Sequence, residues 1–149
     1  PEIPPNTGNI IRLCANTGSR LHLIKPLGFD FSNKSLRRAG LDYKKNVEVI
    51  IHNNLNSFFE KKSKQNIHMF TKFGKISYEK VKYKHGDFLL FGSESKGYTD
   101  EVFKIMKNRI KIFIPMLPNS RSINLANSVS ICLFEAWRQN SFNYFKIMK

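Results

Sequence analysis

The apolar residues of this chain fall in short runs: Leu21-His22-Leu23-Ile24, Val47 to Ile51, Ile67 to Thr71, Phe88 to Phe91 and Arg109 to Ile114. The runs are continuous rather than alternating, the pattern of parallel strands buried on both faces. Helical spacing fills the intervals. Thr7 to Asn16 predicts a short helix closed by Gly18 at its C-cap. Asn33 opens a helix through Arg38 that Gly40 interrupts, and Asn53 or Asn54 caps the next, with Leu55, Phe58 and Phe59 on one side. Thr99 or Asp100 starts another through Met106. The last, Leu125 to Gln139, carries Leu125, Val129, Cys132, Leu133, Ala136 and Trp137 on one stripe. Burial against the domain and contact with a partner both suit that stripe. Residues 72 to 87, rich in Lys and Tyr, read as an exposed connection with room for a short strand. This alternation predicts one α/β domain over residues 1–149, a parallel sheet flanked by helices. A first strand is expected ahead of Pro1, and Asn140 to Lys149 reads as a loosely held tail.

Three polar clusters, each fused to an apolar run, interrupt this pattern. They are Asn6-Thr7-Gly8-Asn9-Ile10-Ile11-Arg12, Leu89-Leu90-Phe91-Gly92-Ser93-Glu94-Ser95-Lys96-Gly97, and Ile114-Pro115-Met116-Leu117-Pro118-Asn119-Ser120-Arg121-Ser122-Ile123-Asn124-Leu125. Small and hydrogen-bonding residues at strand–helix junctions are where open α/β sheets bind ligands. Three such clusters on one small sheet are expected to close around a single cofactor.

A chain of 149 residues is long enough to bury a real core. No apolar stretch approaches the roughly 18 residues of a membrane span, and no signal peptide is visible. Cys14 and Cys132 read as small buried hydrophobes in a reducing, cytoplasmic setting. His22, His52, His68 and His85 are scattered without metal-ligand spacing, so no metal is expected. The net charge of +14 points to a polyanion. The excess is mainly Lys, however, and Lys, Asn, Ile and Phe share A/T-rich codons, so compositional drift produces the same surplus on passive surface. RNA is favoured over a membrane, because no basic amphipathic helix stands apart from the fold.

Familiar catalytic motifs fail. No G-x-G-x-x-G follows the first strand. Gly92-Ser93-Glu94-Ser95-Lys96-Gly97 resembles half a P-loop, but Tyr98 stands where the phosphate-binding Lys is required. Glu94 in that loop repels phosphate and suits a neutral or cationic ligand. Ser122 lacks a nucleophile elbow, and no histidine lies in a polar cluster.

Taken together, the clusters resemble the three motifs of the SpoU-type RNA 2′-O-methyltransferases of the SPOUT superfamily, nearest to its small single-domain branch acting on the tRNA wobble nucleotide, cytidine or uridine 34. The likeness rests on Pro1 to Gly18, on Leu36-Arg37-Arg38-Ala39-Gly40-Leu41-Asp42-Tyr43, on Phe91 to Gly97, on Pro118 to Ser130 and on Glu135-Ala136-Trp137-Arg138-Gln139. It is weak from Asn46 to Asp87. The resemblance implies a sheet whose C-terminal part is threaded into a deep trefoil knot, an exception to unknotted topology. It also implies a homodimer, and S-adenosylmethionine held by Phe70, Thr71, Phe91, Gly92, Glu94, Gly97, Ile114, Met116, Ser122 and Leu125, largely through main-chain groups. The implied substrate is a tRNA anticodon stem-loop, met by Asn9, Arg37, Arg38 and Arg121, with Lys72 a further phosphate contact.

By resemblance Arg12 stands where activation of the ribose 2′-OH is expected, with Asn6, Ser122 and Asn124 completing the catalytic shell. Methyl transfer needs the hydroxyl aligned with the methyl and its proton lost. An arginine side chain stays protonated in proteins, so the expected role is electrostatic: holding a phosphate and stabilising developing alkoxide. Asn6 alternatively caps the first helix, Glu94 braces its loop, and Ser122 and Asn124 cap the last helix. Methylation at another tRNA or rRNA position, and a non-catalytic RNA-binding module, stay open at this level.

Overall fold

The computed structural model describes residues 1–30, 47–62 and 66–143. The expected helix from Asn33 to Arg38, and with it Arg37 and Arg38, lies outside the described residues. The chain divides into two compact units, Pro1–Ser63 and Lys64–Lys149.

In the first unit, α1 runs Pro4–Thr17. It starts three residues earlier than expected because Pro4 and Pro5 occupy the first turn, where a missing N–H costs nothing. Ile3 is the extended N-cap residue, so Asn6 lies inside the helix and is buried instead of capping it. Gly18 ends the helix at φ 67°, the left-handed conformation that glycine adopts freely. Asn6, Thr7, Gly8, Ile10, Ile11, Cys14 and Thr17 are buried. Strands β1 (Leu21–Ile24) and β2 (Val49–His52) pair in parallel, Leu21 opposite Val49 and Ile24 opposite His52. Helix α2 (Leu55–Lys62) follows, its start fixed by Asn54, whose Oδ1 accepts from Ser57 N at 2.8 Å. Leu55 and Phe58 are buried.

The second unit holds β3 (Ile67–Phe70), β4 (Ile76–Ser77), β5 (Phe88–Leu90) and β6 (Lys111–Phe113) in one sheet ordered β4-β6-β3-β5. Every pairing between these strands is parallel, as the apolar runs predict, but pairing among the described residues forms two sheets, one per unit. Thr99 caps α3 (Asp100–Ile105), its Oγ1 accepting from Val102 N. Helix α4 spans Leu125–Gln139, the expected limits. The core centres on Phe70, Tyr83, Ile112 and Cys132.

Tyr83 corrects the expectation of an exposed connection over residues 72 to 87. It is buried, and Gln139 at the end of α4 holds the chain there, accepting from Tyr83 N at 3.0 Å and donating to Val81 O at 2.9 Å. Asn140 adds a bond to Tyr83 O at 3.2 Å, so the start of the presumed tail is anchored; residues 144–149 lie outside the described residues. Among the described residues no helix is long and apolar enough to cross a membrane.

Candidate cofactor and RNA site

Parallel strands all end at one edge of their sheet, so the chain leaves β6, β3 and β5 side by side. This gathers Phe70-Thr71, the loop from Phe91 to Gly97 and the segment from Ile114 to Leu125 in the second unit. Two of the three polar clusters therefore meet at this edge. The first cluster lies within α1 of the other unit.

Register sets the floor of the edge. Met69 is opposite both Leu90 and Lys111, and Phe70 is opposite Ile112. One residue further on, Phe91 stacks on Phe70, ring centroids 4.7 Å apart and 6° from parallel. Phe70 is buried and Phe91 and Ile114 half-buried, forming an apolar wall. Thr71 donates its N–H to Ile112 O at 2.8 Å.

Above that wall the glycine loop folds on itself. Ser93 N donates to Gly97 O at 2.8 Å and Gly97 N to Ser93 O at 3.0 Å. A Cβ on Gly92 would stand 2.5 Å from the Gly97 carbonyl carbon, and Gly97 sits at φ 67°. Both glycines are therefore required by the turn itself. Tyr98, noted in the sequence only as a missing P-loop lysine, returns its hydroxyl to Leu90 O at 2.5 Å. Burial pushes its phenol well above the usual range. Tyr98 staples the loop to β5. Only the wrong-residue signal in the half P-loop marked it.

The third segment is open. Met116, Arg121 and Ser122 are exposed and Leu125 is half-buried. Asn124 is the N-cap of α4, its Oδ1 accepting from Ala126 N at 2.9 Å and Asn127 N at 3.3 Å. Its oxygen is thus committed to the helix, while Ser122 lies ahead of the cap. Glu94 is half-buried within the loop.

In the first unit, Pro5, Asn9, Arg12 and Asn16 are the exposed residues within α1. Offsets of four, three and four put them on one helical stripe, so Asn9 and Arg12 face solvent together. Sequence spacing missed a neighbouring feature: His22 Nδ1 and His52 Nε2 are 2.9 Å apart on adjacent strands, packed on Phe58. In the second unit His68 Nε2 meets Asp87 Oδ2 at 2.8 Å. Among the described residues no three His, Cys, Asp or Glu converge as metal ligands.

Chemically, the edge of the second unit offers an apolar wall, main-chain donors and acceptors fixed by glycine turns, and one acid but no basic side chain inside the glycine turn other than exposed Lys96. That donor set fits a neutral or cationic ligand better than a polyphosphate. Residues 1–134 match the model of the SpoU rRNA Methylase family. The chain belongs to that family. The tRNA (cytidine(34)-2′-O)-methyltransferase of Escherichia coli K12 is similar to it at 50% identity over 139 residues, covering 93% of this chain and 88% of that one. The enzyme of the same name from Saccharophagus degradans is 48% identical over 142 residues, covering 95% and 92%. A solved structure described as giving insights into 2-OH methylation of C/U34 on tRNA superposes with a TM-score of 0.88 at 40% identity, covering 95% of this chain and 91% of its own. The SpoU methyltransferase AviRb of Streptomyces viridochromogenes, solved with AdoMet, shares the fold alone: TM-score 0.80, 21% identity, 95% and 55% covered.

Proposed function

We propose that this SpoU-family chain transfers the methyl group of S-adenosylmethionine to the ribose 2′-OH of the wobble nucleotide, cytidine or uridine 34, of tRNA. The carrying observation is the 50% identity to an enzyme of that name over 93% of the chain. When bound, the sulfonium supplies an electrophilic methyl carbon and leaves as the neutral thioether. The pocket for it is built on Phe70, Thr71, Phe91, Gly92, Glu94, Gly97, Ile114, Met116, Ser122 and Leu125, with adenine recognition by the fixed main chain. Glu94 places a carboxylate in a loop that would repel phosphate.

Arg12 holds a phosphate of the RNA and stabilises negative charge as the 2′-hydroxyl loses its proton. Asn9, one turn earlier on the same exposed stripe, and Arg121 contact the RNA; Arg37 and Arg38 share that role. Asn6 acts from within α1 as a positioning residue, and Ser122 and Asn124 shape the approach to α4. The order β4-β6-β3-β5, which inserts the last strand between the first two of its sheet, supports a C-terminal trefoil knot. Exposed Phe134 and Phe142, flanking Trp137 in edge-to-face contact, support a homodimer through the α4 region. Two buried free cysteines agree with a reducing cytoplasm.

Mapping the methylated nucleotide in tRNA incubated with the protein and labelled S-adenosylmethionine tests the function. Label on ribose 34 is expected. Label on another nucleotide moves the target, and S-adenosylmethionine-independent RNA binding without label replaces the enzyme by a binding module.

A further inference from the structure

Beside the cofactor edge lies a feature that the proposed pocket does not use. Immediately after Thr71 the chain turns through Lys72, Phe73 and Gly74, with Gly74 N donating to Thr71 O at 3.0 Å and Phe73 N donating to Thr71 Oγ1 at 3.3 Å. The turn is pinned to the sheet. A Cβ on Gly74 would stand 2.4 Å from the Ile112 carbonyl carbon, and Lys75 N donates to Lys111 O at 2.9 Å. On this fixed turn Phe73 is 69% exposed, a large apolar ring with no burial to explain it. Lys72 holds its ammonium over that ring, 5.1 Å from the centroid. Lys72 and Lys75 flank the ring, and the turn contains no acid.

We propose that Phe73 is a stacking platform for an unpaired nucleobase of the tRNA anticodon loop, with Lys72 meeting the adjoining phosphate. The proposal rests on the tRNA methyltransferase reading and adds to it a specific RNA-positioning residue. Three properties select a base over other occupants. An aromatic face interleaved with lysines matches single-stranded nucleic acid, whose bases present π-faces and whose backbone is anionic. The turn that carries the ring is pinned to the sheet, so its backbone is ordered before a base stacks on it. The turn leaves β3 two residues after Phe70, at the edge where the nucleotide must arrive. A protein partner would want a broader apolar patch than one ring between two lysines.

The test uses the full chain with Phe73→Ala, Phe73→Leu and Phe73→Trp. Affinity for a fluorescent anticodon stem-loop is read by titration, methylation of whole tRNA by kcat and KM, and S-adenosylhomocysteine affinity by calorimetry. Phe73→Ala and Phe73→Leu are expected to weaken stem-loop binding and raise KM about tenfold, equal to about 1.4 kcal/mol, with kcat and S-adenosylhomocysteine affinity unchanged. Phe73→Trp is expected to restore both. Wild-type binding by Phe73→Ala overturns the proposal, as does full restoration by Phe73→Leu, which marks an apolar contact such as a protein partner. A parallel loss of S-adenosylhomocysteine affinity also overturns it. If the unaltered chain binds the stem-loop without methylating it, the enzymatic reading fails while the Phe73 comparison is still read from binding.

Discussion

At the scale of single residues, geometry and chemistry separate cleanly in this chain. Gly92 is a geometric requirement: its missing Cβ leaves the space that the Gly97 carbonyl occupies. Gly92→Ala is therefore expected to force the loop open, costing about 1–3 kcal/mol and reducing S-adenosylhomocysteine affinity in calorimetry. Arg12, exposed on α1, is by comparison a chemical requirement of the proposed reaction. Arg12→Lys keeps the charge but loses the planar fork that binds phosphate with two parallel bonds. Its kcat is expected to fall about 100-fold while the melting temperature holds, and near-full turnover would remove the electrostatic role assigned to the guanidinium. The cysteines carry a pH signature. Burial pushes the Cys14 and Cys132 thiols from their ordinary 9.0 up to about 12. Between those values the unfolded chain has released both protons and the native chain has not, so stability falls as pH rises. The contribution is complete below pH 9.0 and lost by about pH 12. Urea midpoints measured from pH 8 to pH 11 are expected to fall less steeply in a Cys14→Ala, Cys132→Ala variant than in the parent.

At the scale of elements, the helix ends decide what each polar residue is available to do. Asn124 accepts two main-chain bonds at the start of α4, and Asn124→Ala is expected to cost about 1 kcal/mol of stability. Asn124→Asp keeps an acceptor at the cap and should melt near the parent temperature. Loss of turnover in Asn124→Asp at unchanged stability would give the side chain a role beyond the cap. Much of this was legible in advance. The limits of α4, the Asn54 cap, the Thr99 cap and the Gly18 stop all follow from local chemistry that acts over three or four residues. One failure was local, at the start of α1, and the other came from a partner distant in sequence. Asn6 looked like a cap because Asn often is one, yet Pro4 and Pro5 had already claimed the first turn. Tyr83 sits in a lysine-rich stretch whose local pattern is that of exposed chain, and it is buried because Gln139, far along the chain, satisfies its backbone. The cofactor edge was readable as motifs. Its assembly depends on β6 entering between β4 and β3, which no local pattern encodes.

For the whole molecule, the open question in the sequence is what the net charge of +14 does. Drift toward A/T-rich codons would scatter lysines over surface that never meets RNA. Binding of tRNA would instead recruit a defined subset against phosphates. The two accounts differ in salt dependence, because each phosphate neutralised releases condensed counterions, giving a slope of log K against log salt of about −0.7 to −0.9 per contact. If Lys72, Arg12 and Arg121 meet phosphates as proposed, they supply three cationic contacts, so a slope of about −2 or steeper is expected. Lys72→Ala should make it shallower by about one contact's worth. In the proposed pocket S-adenosylhomocysteine meets apolar surface and main-chain groups, so its affinity should stay nearly flat across the same salt range. A flat slope for tRNA would mean that the charge is passive surface and that recognition rests on stacking and hydrogen bonds. A steep slope unchanged by Lys72→Ala would move the phosphate contacts away from the Thr71 to Lys75 turn.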